Sequence, residues 1–129
     1  MNSGAIRRRL AGGLAVLAVS GLVAVAAPGE AQAASSCAGR KVRSYPFSTG
    51  TLDVYKRRGY VCAVTVSKTP GVKRVMSVSV RVYGLRPVVD KGRYRYRAGP
   101  VTVHAGQRCV WVKGRVGGGS YDSEGWILC

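Results

Sequence analysis

The sequence predicts an all-β fold: a small antiparallel β-sandwich or compact barrel with two disulfides, following a cleaved signal peptide. Three observations predict it. Short runs past residue 36 alternate apolar and polar residues with a period of two, which marks half-buried antiparallel strands. Turn residues punctuate those runs at close intervals. Four cysteines follow a stretch with the layout of an export signal.

The first segment is that signal. Arg7, Arg8 and Arg9 form a positive start, Leu10 to Ala27 is an uncharged apolar run, and Pro28-Gly29 breaks it. Ala31 and Ala33 place small residues where a signal peptidase needs them, so cleavage is expected before Ala34. A retained membrane anchor is the competing reading, because the apolar run approaches spanning length; the proline break and the A-x-A site favour removal. Cys37 lies too far beyond Ala27 for a lipoprotein site. The arginine cluster also fits a twin-arginine route, but Sec export suits a small protein that forms disulfides outside the cell. Residues 1–33 are thus read as signal peptide and 34–129 as one secreted β domain.

Cys37, Cys62, Cys109 and Cys129 make an even set with no close pair of the C-x-x-C kind that zinc favours. Of the three possible pairings, neighbours in sequence are expected: Cys37–Cys62 and Cys109–Cys129. Each would close a loop worth roughly 3 kcal/mol in the chain-entropy model. A domain of this size buries only about 60–65% of its unfolded surface, so such staples matter.

The strands follow in order. "TLDVYK" and "YVCAVTV" flank Arg58-Gly59, a hairpin turn, and the second run is read with Cys62, Val64 and Val66 inward against Ala63, Thr65 and Ser67. Pro70-Gly71 suits the centre of a type II turn. "VMSVSVRVY" puts Met76, Val78, Val80 and Val82 on one face and Ser77, Ser79, Arg81 and Tyr83 on the other. Asp90-Lys91-Gly92 and Ala105-Gly106-Gln107 read as turns, and "GPVTVHA" buries Val101, Val103 and Ala105 while exposing Thr102 and His104. "VGGGSYDSEG", residues 116–125, reads as a flexible glycine-rich loop. Seven or eight strands at this spacing suit a sandwich or barrel.

Catalytic groups are sparse. His104 is the single histidine, on an outward position with no partner or nucleophile indicated by the sequence. Asp53, Asp90, Asp122 and Glu124 are the carboxylates of residues 34–129. Asp122 and Glu124 are near neighbours, yet too few for a calcium loop and too close in sequence for a glycosidase pair, so they are read as solvated loop charges. Ser120 lacks a nucleophile-elbow setting. The expectation is a protein that is not an enzyme and uses neither cofactor nor metal.

Charge is the outstanding feature. Residues 34–129 hold 18 Lys and Arg against 4 Asp and Glu, a formal +14. Solubility needs only about 2 to 8. "KGRYRYRAGP", read as one strand, would turn Arg93, Arg95 and Arg97 to one side at a spacing of about 6.8 Å, with Tyr94 and Tyr96 opposite. Lys56, Arg57 and Arg58 form a second cluster at the hairpin. Such a field attracts polyanions by counterion release without sequence specificity. The expected partners are anionic cell-wall or surface polymers and, without sequence specificity, nucleic acid; no stable membrane insertion is expected after cleavage. A secreted antagonist, either a cationic antimicrobial or a protease inhibitor, is the alternative reading.

From "GTLDVYKRRGYVCAVTV" through "DKGRYRYRAGPVTVHAGQRCVWVKG" to Cys129, the chain resembles the spore-associated protein A family, small exported proteins of filamentous actinobacteria. The run from Tyr94 to Val110, Y-x-Y-x-AGPV-x-V-x-A-x-x-x-C-V, carries most of the likeness. The chain departs from that family in being far more basic. The resemblance implies no enzyme activity and a location outside the cell, at the spore or hyphal surface.

Overall fold

The computed structural model describes residues 37–129. The expected leader and the cleavage point before Ala34 lie outside the described residues. Eight strands appear in chain order: β1 (Arg40–Phe47), β2 (Gly50–Arg57), β3 (Tyr60–Ser67), β4 (Arg74–Val82), β5 (Val88–Tyr94), β6 (Arg97–His104), β7 (Val110–Val116) and β8 (Gly119–Asp122). They form two four-stranded antiparallel sheets, β1-β2-β3-β6 and β5-β4-β7-β8. The sheets face one another as a sandwich and do not close into a barrel.

Between them lies a core of Leu52, Val54, Val61, Ala63, Met76, Val78, Val80, Val82, Ala98, Val101, Ala105, Val110, Val112 and Val116. Small and β-branched side chains dominate it, as expected where two pleated faces interdigitate. Tyr45 of β1 stacks on Tyr121 of β8 with ring centroids 4.4 Å apart, closing one side of the sandwich. On the other side β6 packs against β4 and β5.

Both expected disulfides form, Cys37–Cys62 and Cys109–Cys129. Arg58 and Gly59 occupy the β2–β3 turn with φ of 49° and 83°. Two successive positive φ values match the right-handed twist of the strands they join. Thr69 to Val72 forms a turn closed by a 3.2 Å hydrogen bond, with Pro70 and then Gly71 (φ 94°) at its centre, as a type II turn requires.

Five readings of the strands are corrected. First, β3 faces the opposite way: Val61, Ala63 and Thr65 point inward, whereas Cys62, Val64 and Val66 are on the outer face. Cys62 and Val64 are nevertheless buried, so β3 is covered on both sides and its alternation is uninformative. Second, Asp90-Lys91-Gly92 is not a turn but the middle of β5. Gly92 is there because the Tyr94 ring folds back over it to bond Asp90; a Cβ at Gly92 would meet that ring at 2.9 Å. Third, 116–125 is not a loop: Gly117-Gly118 turns β7 into β8, and Gly119 is buried. A Cβ on Gly119 would collide with the Ser48 and Thr49 hydroxyls, so the glycine serves close sheet-to-sheet approach. Fourth, Asp122 belongs to β8 and not to a loop, although its side chain remains part-exposed. Its Oδ1 accepts 2.6 Å hydrogen bonds from the Trp111 indole N–H and the Glu124 backbone N–H.

The fifth correction concerns the arginine–tyrosine run. It is not one strand. β5 ends at Tyr94, Arg95 and Tyr96 form the corner, and β6 begins at Arg97 in the other sheet. The corner is held by backbone bonds from Ser67 N–H to Tyr96 C=O and from Gly71 N–H to Arg95 C=O. Asp90 locks it from below, accepting from the Gly99 N–H at 2.7 Å and the Tyr94 hydroxyl at 2.6 Å.

Candidate anion-binding face

The outer face of the second sheet is built by three strands whose outward positions carry cations. From β5 come Val89, Lys91 and Arg93; from β4, Val75, Ser77, Ser79 and Arg81; from β7, Trp111, Lys113 and Arg115. Register sets them in rows. Lys91 and Arg115 flank Ser77, Val89 and Lys113 flank Ser79, Arg81 lies beside Trp111, and Arg93 lies beside Val75. Neighbouring strands are about 4.8 Å apart, so Lys91 and Arg115 are rooted about 10 Å from each other across the small Ser77 side chain. The result is a shallow trough of hydroxyls along β4, with basic side chains on both flanks at Ser77 and on the β7 flank at Ser79.

The charges of this face have little internal compensation. Arg81, Lys91, Arg93, Lys113 and Arg115 share it with one carboxylate, Asp122, whose Oδ2 is 4.0 Å from Lys113 Nζ. Lys91 and Arg93 have no ion pair or hydrogen bond among the described residues. The Arg115 Nε donates to the Gly117 carbonyl at 2.8 Å, and Arg81 Nε to the Leu85 carbonyl at 3.1 Å. The two larger clefts of this face lie toward its ends. One, of about 460 Å³, is lined by Lys73, Arg74, Val75, Lys91, Arg115 and Gly117. The other, of about 390 Å³, lies at the Trp111 end. Repulsion between two cations about 10 Å apart in water is only about 0.4 kcal/mol, so the fold tolerates the array, while a polyanion laid along it meets all of them together.

The residues expected from sequence to bind anions are not assembled into one patch. Arg93 belongs to the trough. Arg95 sits on the corner, with its guanidinium donating to the Gly71 carbonyl at 3.0 Å. Arg97 starts β6 in the other sheet. Lys56, Arg57 and Arg58 lie at the β2–β3 hairpin of that other sheet, where Arg57 and Arg58 border a cleft of about 290 Å³ with Tyr60 and Cys62. Lys91, Lys113 and Arg115 join the trough without standing out among the cations of the sequence. The signal was present: "VVDKGRY" and "VWVKGRV" both alternate with their cations on one parity.

Of the remaining reactive groups, His104 and Asp53 are engaged elsewhere, while Ser120 borders this face. His104 packs edge-on against Tyr60 with centroids 4.8 Å apart. Asp53 accepts from Ser44 Oγ at 2.7 Å and pairs with Lys41 at 3.5 Å. Ser120 lies opposite Arg115 on β8. Among the described residues no helix is long and apolar enough to cross a membrane. Both disulfides suit an oxidising compartment.

The fold and the face define a disulfide-stapled antiparallel sandwich with a cationic sheet face. Comparison of the chain with family models, with curated proteins and with solved structures finds no match in any of the three.

Proposed function

We propose that this is a secreted, non-enzymatic protein that adheres electrostatically to anionic polymers at a cell or spore surface. The observation that carries this reading is the trough along β4, where Lys91, Arg93, Lys113 and Arg115 converge from two flanking strands around Ser77 and Ser79. A repeated anion laid along β4 would meet cations on both sides and hydroxyl donors beneath. The resemblance to the spore-associated protein A family and the paired cysteines support an extracellular setting.

The test is retention on an anionic matrix as a function of salt. Replacing Lys91, Arg93, Lys113 and Arg115 by Gln is expected to flatten the slope of log K against log salt by about 0.7–0.9 per lost contact. The same change at Lys56, Arg57, Arg58 and Arg40, which pairs with Lys56 across β1 and β2, serves as a charge-matched control and is expected to alter the slope less. Equal losses from the two sets would show a diffuse field without a binding face. Stronger retention on DNA than on acidic polysaccharide at matched charge would redirect the reading to nucleic acid.

A further inference from the structure

We infer that the Trp111 end of this face is a subsite for an acidic polysaccharide, with the apolar face of a uronic-acid ring lying on the Trp111 indole and its carboxylate met by Arg81 and Lys113. The inference rests on the adhesive reading above and names the class of polymer. The cleft of about 390 Å³ is lined by Ser79, Arg81, Pro87, Val89, Trp111 and Lys113. Three of these offer hydrocarbon or aromatic surface, two offer positive charge and one a hydroxyl. That mixture suits a ring with an apolar face, an acidic substituent and hydroxyls around its rim.

The platform is preorganised. Trp111 donates its indole N–H to Asp122 at 2.6 Å, and Trp126 meets it edge-on with centroids 5.4 Å apart. Tyr83 edges Trp126 in turn at 5.0 Å, and the Arg81 guanidinium lies over the Trp126 ring at 5.5 Å. A ring fixed in this way loses little rotamer freedom when a ligand arrives. Because its N–H is already used, Trp111 has only its π surface to offer, which matches C–H groups better than polar edges. Ser79 Oγ has no hydrogen-bond partner among the described residues and can serve a sugar hydroxyl.

Charge placement selects the ligand class. Arg81 and Lys113 line the same cleft as the indole, so the anion must be attached to the stacked ring itself. A uronate satisfies this. A nucleotide carries its charge one sugar away from the base that would stack, and a polyphosphate has no ring.

Both tryptophans of the chain lie in this cluster, so tryptophan emission reports on this end alone. The experiment titrates the purified protein with galacturonate oligomers, a neutral oligosaccharide of equal length, polyphosphate and oligothymidylate. Galacturonate is expected to change the emission saturably, the neutral oligomer far less, and polyphosphate to bind without changing it. Lys113→Gln should weaken galacturonate binding about two- to fivefold. Val89→Glu, at an exposed edge-strand position, should weaken it more than about tenfold by placing a like charge in the cleft, with an unchanged melting curve showing that the fold is kept. An equal emission response to polyphosphate or oligothymidylate, or unchanged galacturonate affinity in Val89→Glu, would overturn the subsite. Retention on polyphosphate with emission silent to every glycan would end the subsite and leave the adhesive face standing; failure to bind any polyanion would end both.

Discussion

Thr65 buries its hydroxyl completely, and that oxygen has no hydrogen-bond partner among the described residues. An unmade buried hydrogen bond costs about 1–3 kcal/mol. Thr65→Val keeps the shape and removes the polar atom, so it is expected to raise stability by about 1 kcal/mol in urea denaturation. Gly114 lies against the same atom: a Cβ there would be 2.6 Å from Thr65 Oγ1 and 3.2 Å from Leu52 Cδ1. Gly114→Ala should therefore lower stability by about 1–3 kcal/mol. Adding Thr65→Ala should recover part of that loss, and a double-mutant cycle would measure the coupling. At this scale the sequence was legible wherever one face met water. Met76, Val78, Val80 and Val82 are legible as the inward set because Ser77, Ser79 and Arg81 between them are polar. The orientation of β3 is not legible because both of its faces are covered and nearly every position is apolar or small, which leaves no contrast along the strand.

β5 shows how an edge strand is secured by its own side chains. Its inward positions include a carboxylate, Asp90, and an inward charge discourages further sheet pairing at an edge. Asp90→Ala would leave the Tyr94 hydroxyl and the Gly99 N–H without their partner, and should cost about 1–3 kcal/mol by chemical denaturation. The Tyr94 hydroxyl titrates above the ordinary tyrosine value, first because of its hydrogen bond to Asp90, then because of burial and the Asp90 charge. Since the folded value is the higher one, the stabilisation is complete below the unfolded tyrosine value of about 10 and is lost as pH rises through the folded value. Tyr121 is raised too, chiefly by burial, so the whole protein should weaken in alkali. Stability of Tyr94→Phe should fall less steeply than that of the parent between about pH 9 and about pH 11; parallel curves would remove Tyr94 from this account. Asp90-Lys91-Gly92 has the local character of a turn because Asp and Gly favour turns. In β5 each has a tertiary reason instead: Asp90 bonds Gly99 in another strand, and Gly92 makes room for Tyr94.

For the whole molecule, charge and covalent closure decide most of the behaviour. Of the four carboxylates in 37–129, Asp53, Asp90 and Asp122 are committed to internal hydrogen bonds. With 18 Lys and Arg against these four carboxylates the surface field is strongly positive, though at physiological salt it fades over about 8 Å, so contact with a ligand must be close. The Cys109–Cys129 bridge pins the chain end beside β7, where Val110 and Ile127 also pair. Replacing both cysteines by Ala should lower stability by about 3 kcal/mol, read as the guanidinium midpoint. It should also shift tryptophan emission to the red as Trp126 loosens.

The sequence by itself determined the strand-forming character of the chain, the two-cysteine-pair framework, the β2–β3 and Pro70-Gly71 turns and the large positive charge. Each of these follows from local chemistry: period-two alternation, residues suited to positive φ, and the composition itself. Only the tertiary structure decided which cations act together. β4 pairs with β7 across two crossings between the sheets, and that pairing brings Lys113 and Arg115 to the flank opposite Lys91 and Arg93. The first of these crossings separates Arg93 from Arg97, four residues apart in the chain yet on different sheets. Linear proximity is a poor guide to a sheet surface because strand order, set by burial of the valine faces, places side by side residues that the chain keeps far apart.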